Sequence, residues 1–174
     1  MAKKTITFSL DPDSIDNAIK KVEEYKKEVE KKCETLRIRV AQAIQDKAQA
    51  GFAGAVVDDL LKGARMANVT VGLGSSLSDK EATLVIANGT DAVWVEFGAG
   101  VYHNGAAGSS PNPYGSELGF TIGGYGTKGT QNVWGFYEDG ALHLTHGTPA
   151  KMPLFNAVVA VSDDIADIAK EVFS

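Results

Sequence analysis

Apolar residues recur with a helical period along the first third of the chain. Ile15, Ile19, Val22, Tyr25, Val29, Cys33, Leu36, Val40 and Ile44 step at an average of about 3.6 residues. Lys20, Lys21, Glu23, Glu24, Lys26, Lys27, Glu28, Glu30, Lys31 and Lys32 fill the gaps. This is the pattern of a long amphipathic helix with a narrow apolar stripe and a charged outer face. Asp11 is placed as its cap and Pro12 as its first residue. The periodic part of this helical arm over 11–50, Ile15 to Ile44, would be roughly 50 Å long, more than the diameter of a small domain. Part of its stripe is therefore expected to meet another subunit.

Before the helix, Ile6, Phe8 and Leu10 alternate with polar residues, which predicts a short strand over Thr5–Leu10. After it, Gly51 and Gly54 interrupt the period, and Val56, Val57, Leu60 and Leu61 read as a shorter helix weakened at Gly63. A β region follows. Val69, Val71 and Leu73 alternate with Thr70, Gly72 and Gly74, and Ala82, Leu84 and Ile86 alternate with Thr83, Val85 and Ala87. Asn88-Gly89 is a hairpin turn signal, with Ala92–Phe97 as the returning strand. A second hairpin is expected from Val133–Tyr137, a turn at Asp139-Gly140, and Ala141–Thr145.

The chain closes on a clear amphipathic helix. Leu154, Val158, Val161, Ile165, Ile168 and Val172 form its stripe, with Asp163, Asp164, Asp167 and Glu171 off it, and Pro153 suits its first turn. The elements add up to an α+β fold: a long N-terminal helix, an antiparallel sheet built from hairpins, and an amphipathic C-terminal helix. Ten of the nineteen glycines fall between Gly98 and Gly129. That concentration marks a Gly-rich loop over 98–130, and a loop so long is unusual in a compact domain unless it meets something.

The length of 174 residues fits a single domain with a real core, and the hydrophobic (44%) and charged (22%) fractions are ordinary for a globular protein. No apolar run is long enough to span a membrane, and the N-terminus carries no apolar signal core. The lone Cys33 excludes an internal disulfide and fits a reducing compartment. The net charge of −5 argues against binding nucleic acid by phosphate neutralisation. The charge is uneven: eleven Lys+Arg against nine Asp+Glu in residues 1–50, but four Lys against eleven Asp+Glu in residues 68–174.

Candidate chemistry is sparse. His143-x-x-His146 with Glu96, or with His103, is a conceivable metal site, but positions 143 and 146 point to opposite faces of a strand, and surface or turn histidines are the plainer reading. Gly124-Tyr125-Gly126-Thr127-Lys128-Gly129 has dinucleotide-loop spacing, yet a strand and not a helix is expected after it. Cys33 falls on the apolar stripe, where cysteine acts as a small hydrophobe. Read on a strand, Glu96 shares a face with Ala92 and Trp94. There it would either accept hydrogen bonds from the Gly98–Gly100 backbone or stand as an exposed edge charge that discourages strand pairing. No acid or base partner is evident for it. The aromatics Tyr102, Tyr114, Phe120, Tyr125, Trp134, Phe136 and Tyr137 cluster in and just after the Gly-rich region. They either fold back on the sheet or serve as anchors of an interface.

Two blocks carry a resemblance. Val93-Trp94-Val95-Glu96-Phe97-Gly98-Ala99-Gly100, together with Gly135-Phe136-Tyr137 and the stretch Gly147–Ala157 that contains Pro149-Ala150-Lys151-Met152-Pro153, resembles a minor tail protein family of long-tailed phages. This is the gene-product-10-like tail-completion or head–tail joining family, similar in role to the lambda Z protein. The likeness covers residues 35–173, with one departure: many members carry a Pro-Val-Asp-Thr-Gly-like turn where this chain has Ala55-Val56-Val57-Asp58-Asp59-Leu60. The resemblance implies an α+β virion protein of the neck or upper tail, made in the host bacterial cytoplasm, with no catalytic residues and no cofactor or metal. Its implied partners are the tail terminator, the head–tail connector, the tail tube and further copies of itself in a ring, a hexamer among the candidate forms. Sequence-specific nucleic acid and membrane are not among them. The interaction residues expected on this reading are Trp94, Glu96, Phe97, Gly98, Tyr102, Tyr114, Phe120, Tyr125, Trp134 and Phe136. The alternatives are a phage-encoded metal-dependent hydrolase using Glu96 and the histidines, and a capsid-associated binding module.

Overall fold

The computed structural model describes residues 5–75, 82–100, 110–120 and 133–174. Helix α1 runs from Pro12 to Ala53, 42 residues, or about 63 Å. Its start is as expected: the Asp11 carboxylate accepts a hydrogen bond from the Ser14 amide at 2.9 Å. Its end is later than the glycines suggest. The helix passes through Gly51 and stops at the Gly54 cap. The reason is tertiary: a Cβ on Gly51 would lie 2.9 Å from the Pro153 Cβ, so the glycine lets another helix begin against α1.

That second helix, α3 (Pro153–Phe173), runs antiparallel along the C-terminal part of α1. Lys47 pairs with Asp164 at 3.9 Å and Arg39 with Glu171 at 2.6 Å, and Lys32 reaches the Phe173 ring and the Ser174 carbonyl. The α3 stripe is rotated from expectation. Ala157 and Val161 are buried, whereas Val158 and Ile165 are exposed. Residues 12–31 of α1 run on past the end of α3 as an arm of about 30 Å. Ile19 and Val22, both on the stripe, are 51% and 54% exposed there. Cys33 is also exposed, so it is not a core residue.

The expected strand at Thr5–Leu10 has no ladder; the segment takes no regular structure, bends at Leu10 and is mostly exposed. The expected helix at 56–61 is replaced by two short strands, β1 (Val56–Val57) and β2 (Arg65–Met66), paired antiparallel. Between them the Asp59 carboxylate takes the Leu61 and Lys62 amides at 3.0 and 3.1 Å, a local turn that outcompetes a helix. Strands β3 (Thr70–Ser75) and β4 (Thr83–Asn88) form an antiparallel hairpin in full register, Thr70 opposite Asn88 and Ser75 opposite Thr83. Gln45 and Gln49 of α1 bind its backbone: the Val71 amide donates to Gln49 Oε1 at 2.7 Å and Gln45 Nε2 donates to the Val71 carbonyl at 2.9 Å.

Residues 92–97 are a helix, α2 (Ala92–Phe97), not a returning strand. Asn88-Gly89 therefore makes no hairpin turn. Gly89 has φ 144°, and a Cβ there would lie 2.0 Å from the Asn68 carbonyl oxygen, so only glycine fits. The late hairpin is as expected: β6 (Trp134–Glu138) and β7 (Ala141–Thr145) pair through a turn with positive φ at Asp139 and Gly140. Strands β5 (Ala99–Gly100) and β8 (Gly147–Thr148) form a last short ladder. The fold is α+β, with its core formed by Ala48, Phe52, Ala55, Val69, Val71, Ala92, Val95 and Ala157 where α1, β3, α2 and α3 meet. Among the described residues, no helix is long and apolar enough to cross a membrane.

Candidate functional site

Because residues 92–97 are helical, Ala92, Val95 and Glu96 share one face, and all three are buried. Glu96 is 4% exposed. Its carboxylate lies at the start of α3: Oε2 accepts from the Leu154 amide at 2.8 Å and Oε1 from the Phe155 amide at 3.0 Å. Helix α3 has no side-chain cap of its own, since Met152 stands at the cap position with φ 52°. Glu96 does that work from 58 residues away. It satisfies two of the orphan amides and sets a negative charge against the positive end of the helix dipole. Both earlier readings of Glu96, the exposed edge charge and the clasp on Gly98–Gly100, are corrected by this geometry.

A third donor completes the carboxylate's surroundings. Asn112 Nδ2 reaches Glu96 Oε1 at 3.0 Å, with Asn112 also buried. Residues 110–120 form a closed turn, joined at its ends by a hydrogen bond from the Ser110 amide to the Phe120 carbonyl and fastened to α2 by Ser110 Oγ on the Phe97 carbonyl. This part of the Gly-rich stretch is thus folded and packed. Burial pushes the Glu96 carboxyl above its ordinary value of 4.5, opposed by the Leu154 and Phe155 amides and Asn112.

The backbone repeats the connection. The Val95 carbonyl accepts from the Lys151 and Met152 amides at 2.8 and 3.4 Å, and the β5–β8 ladder sets Ala99 opposite Thr148. Gly147 is required in that ladder, because its φ is 108° and a Cβ would fall 2.0 Å from the Ala99 carbonyl oxygen. The Trp94–Gly100 block and the Gly147–Phe155 block are therefore one joint.

The expected interaction residues divide. Phe97 stacks on Phe120 at 4.4 Å, and Trp94 meets Phe120 edge-on at 6.5 Å. Tyr114 sits edge-on to Phe155 at 6.3 Å and is 57% exposed. Gly98, with φ 81°, ends α2 through a hydrogen bond to the Trp94 carbonyl. Phe136 belongs to a different place, the β6–β7 hairpin, where it stacks on His143 at 5.1 Å. Trp134 lies in β6, described by its backbone alone. Tyr102, Tyr125, His103 and the 124–129 glycine pattern lie outside the described residues. Beside the joint opens an apolar groove of about 580 Å³, walled by Val93 and Phe97 of α2, Tyr114 and Leu118, and Phe155 and Val158 of α3.

The histidines form a second joint. His143 Nδ1 lies 2.8 Å from Asp59 Oδ2, and His146 Nδ1 lies 3.1 Å from Asp58 Oδ2, which also accepts the His146 amide. Burial opposes the Asp59 charge, but His143 and the Leu61 and Lys62 amides outweigh it and hold the carboxyl below the usual range. These pairs tie the 58–62 turn to β7. Among the described residues, no three His, Cys, Asp or Glu side chains converge to hold a metal ion.

Asn112, Asp58, Asp59 and the pair of buried Asp91 with exposed Arg65, in which two hydrogen bonds of 2.6 and 3.0 Å join guanidinium to carboxylate, were not singled out by the sequence. The only local signal was Ser110-Pro111-Asn112-Pro113, a turn-forming run whose Asn112 Oδ1 accepts the Tyr114 amide. Comparisons with protein-family models, curated proteins and solved structures give no match.

Proposed function

We propose that this protein is a structural component of the neck or upper tail of a long-tailed phage, completing the tail and joining it to the head connector as a ring of copies. The observation that carries the reading is the Glu96 joint. Two of the sequence blocks behind the resemblance, 93–100 and 147–157, are held together by the Glu96 carboxylate on the first turn of α3 and by the Val95 carbonyl on the two residues before it. Their shared role is architectural. All three donors that reach Glu96 are structural, which favours a fastening over a general acid or base.

What remains for function on this reading is surface: the arm of α1, the groove beside α2 and the exposed Tyr114. The partners are the tail terminator, the connector and the tail tube. The acidic balance of residues 68–174, eleven Asp+Glu against four Lys, suits a wall that DNA passes without sticking.

The test is electron microscopy of particles assembled without the protein. Full heads separate from loose tails are expected; joined, infectious virions in its absence would overturn the reading. Stoichiometric zinc in the purified protein, lost together with a hydrolytic activity in Glu96→Gln, would replace it with the hydrolase alternative.

A further inference from the structure

The segment Thr5–Leu10 has a strand's alternation and no strand partner among the described residues. Phe8 is 60% and Leu10 91% exposed. The segment cannot reach the β3–β4 hairpin of its own chain. Gln45, the α1 residue that binds β3 at Val71, stands 33 residues beyond Pro12, or about 50 Å along a rigid helix. The hairpin runs back along α1, because Val69 lies at Gln49 and Val71 at Gln45, and its far end at Ser75 and Thr83 recovers about 13 Å of that distance. A gap of more than about 35 Å is left, and six extended residues span about 20 Å.

The molecule also carries a place where such a segment fits. In the β3–β4 hairpin the two outer edges differ. That of β3 is occupied by Gln45 and Gln49. That of β4 has no strand against it among the described residues. Directly beside β4 lies the apolar groove, lined by Ala87 of β4, Val93 and Phe97 of α2, and Val158 and Val159 of α3. Ala87 is opposite the buried Val71, so it points to the inner face of the hairpin. A strand added along β4 would aim every second side chain to the inner face, where the groove opens beside Ala87.

We infer that Thr5–Leu10 of one copy adds as a third strand to the open edge of β4 in a second copy, with Ile6, Phe8 and Leu10 filling that copy's groove. Six residues meet the six of β4. The backbone agrees: the Ser9 amide is turned to its own helix, donating to Ser14 Oγ at 2.9 Å, and in an extended chain the amides of Ile6 and Phe8 leave from the opposite side. Main-chain pairing supplies the affinity and the alternate side chains supply the specificity, as in strand addition generally. Each copy offers one arm and receives one, so the contact is head-to-tail and propagates until it closes in a ring or continues as a filament. The inference is independent of the viral reading, and its test concerns the purified chain alone.

The experiment is sedimentation of the full chain with two variants, one on each side of the contact. The wild type is expected to associate, and Phe8→Asp and Val158→Asp are each expected to weaken association by about a hundredfold and to sediment as the 18.4 kDa monomer. Both positions are surface-exposed, so the helical circular dichroism stays unchanged. The decisive arm is the mixture. Phe8→Asp keeps an intact groove and Val158→Asp keeps an intact arm, so the two together form a one-to-one dimer that grows no further. A wild type that is monomeric at millimolar concentration, association that survives Phe8→Asp, or a mixture that stays monomeric would each overturn the inference.

Discussion

From Lys32 to Ala53, helix α1 lies beside α3 and the β3–β4 hairpin; from Pro12 to Lys31 it runs on past the last residue of α3. One apolar stripe crosses both halves without a break, but the residues around the stripe change. The anchored half is rich in Ala41, Ala43, Ala48, Ala50, Gly51 and Ala53, small residues that let other backbones approach; the arm is flanked by Lys and Glu. An apolar period therefore reports that a helix forms, while the size of the neighbouring residues reports how closely something packs on it. The arm keeps an apolar face of its own, as expected of a surface reserved for another chain.

The sharpest way to test this contrast is a large-to-small change in the anchored half. Phe52 is fully buried at the centre of the core, against α2, β3 and α3. Phe52→Ala should cost about 3–5 kcal/mol in urea unfolding, because the cavity has little freedom to collapse. A loss below about 1 kcal/mol would mean that α1 is not seated as described.

The next effect concerns what holds α3 in place. Glu96→Ala leaves the Leu154 and Phe155 amides and Asn112 without their acceptor and should cost about 3 kcal/mol. Glu96→Gln keeps the shape but turns an amide group toward one of those donors, and should cost about 1–2 kcal/mol. The cost depends on pH. Burial raises the folded-state pKa of Glu96 above 4.5, so the folded protein binds this proton more tightly than the unfolded chain. The wild type therefore loses stability as pH rises from about 4.5 through the raised value, and glutamine, which does not titrate, loses none. The difference between wild type and Glu96→Gln should be largest at low pH and shrink as pH rises. A difference that grows with pH would mean that the carboxylate is stabilised, not strained, by its site.

The helices α1 and α3 and the β3, β4, β6 and β7 strands were legible in the sequence because each is long enough to show its period. What failed was short and decided from a distance. Ala92-Val93-Trp94-Val95-Glu96-Phe97 alternates and is β-branched, so it reads as a strand. Its helical form is fixed by Asp91, held by Arg65 and the Asn68 amide, and by the start of α3 against Val95 and Glu96. These partners outweigh local preference. Thr5–Leu10 fails in the opposite sense, with a strand's pattern and no strand partner among the described residues. Glu96 stood out in the sequence beside Trp94 and Gly98, yet its role rests on Asn112, Leu154 and Phe155, none of them near it in the chain.

The smallest effect is the one that separates the halves of α1 most cleanly. Ile19 belongs to the same stripe as Ile44, but it lies on the arm and is half exposed. Ile19→Ser removes apolar surface that the folded chain leaves half exposed. In dilute, monomeric protein it should change the unfolding free energy by no more than about 0.5 kcal/mol. Ile44, packed against the core cluster, should cost about 2–5 kcal/mol as Ile44→Ala. The two substitutions lie on one helix and remove similar apolar side chains, so helix propensity cannot account for a gap of that size. Equal losses at the two positions would show that the arm is already covered in the monomer, and that the difference between its halves is not one of burial.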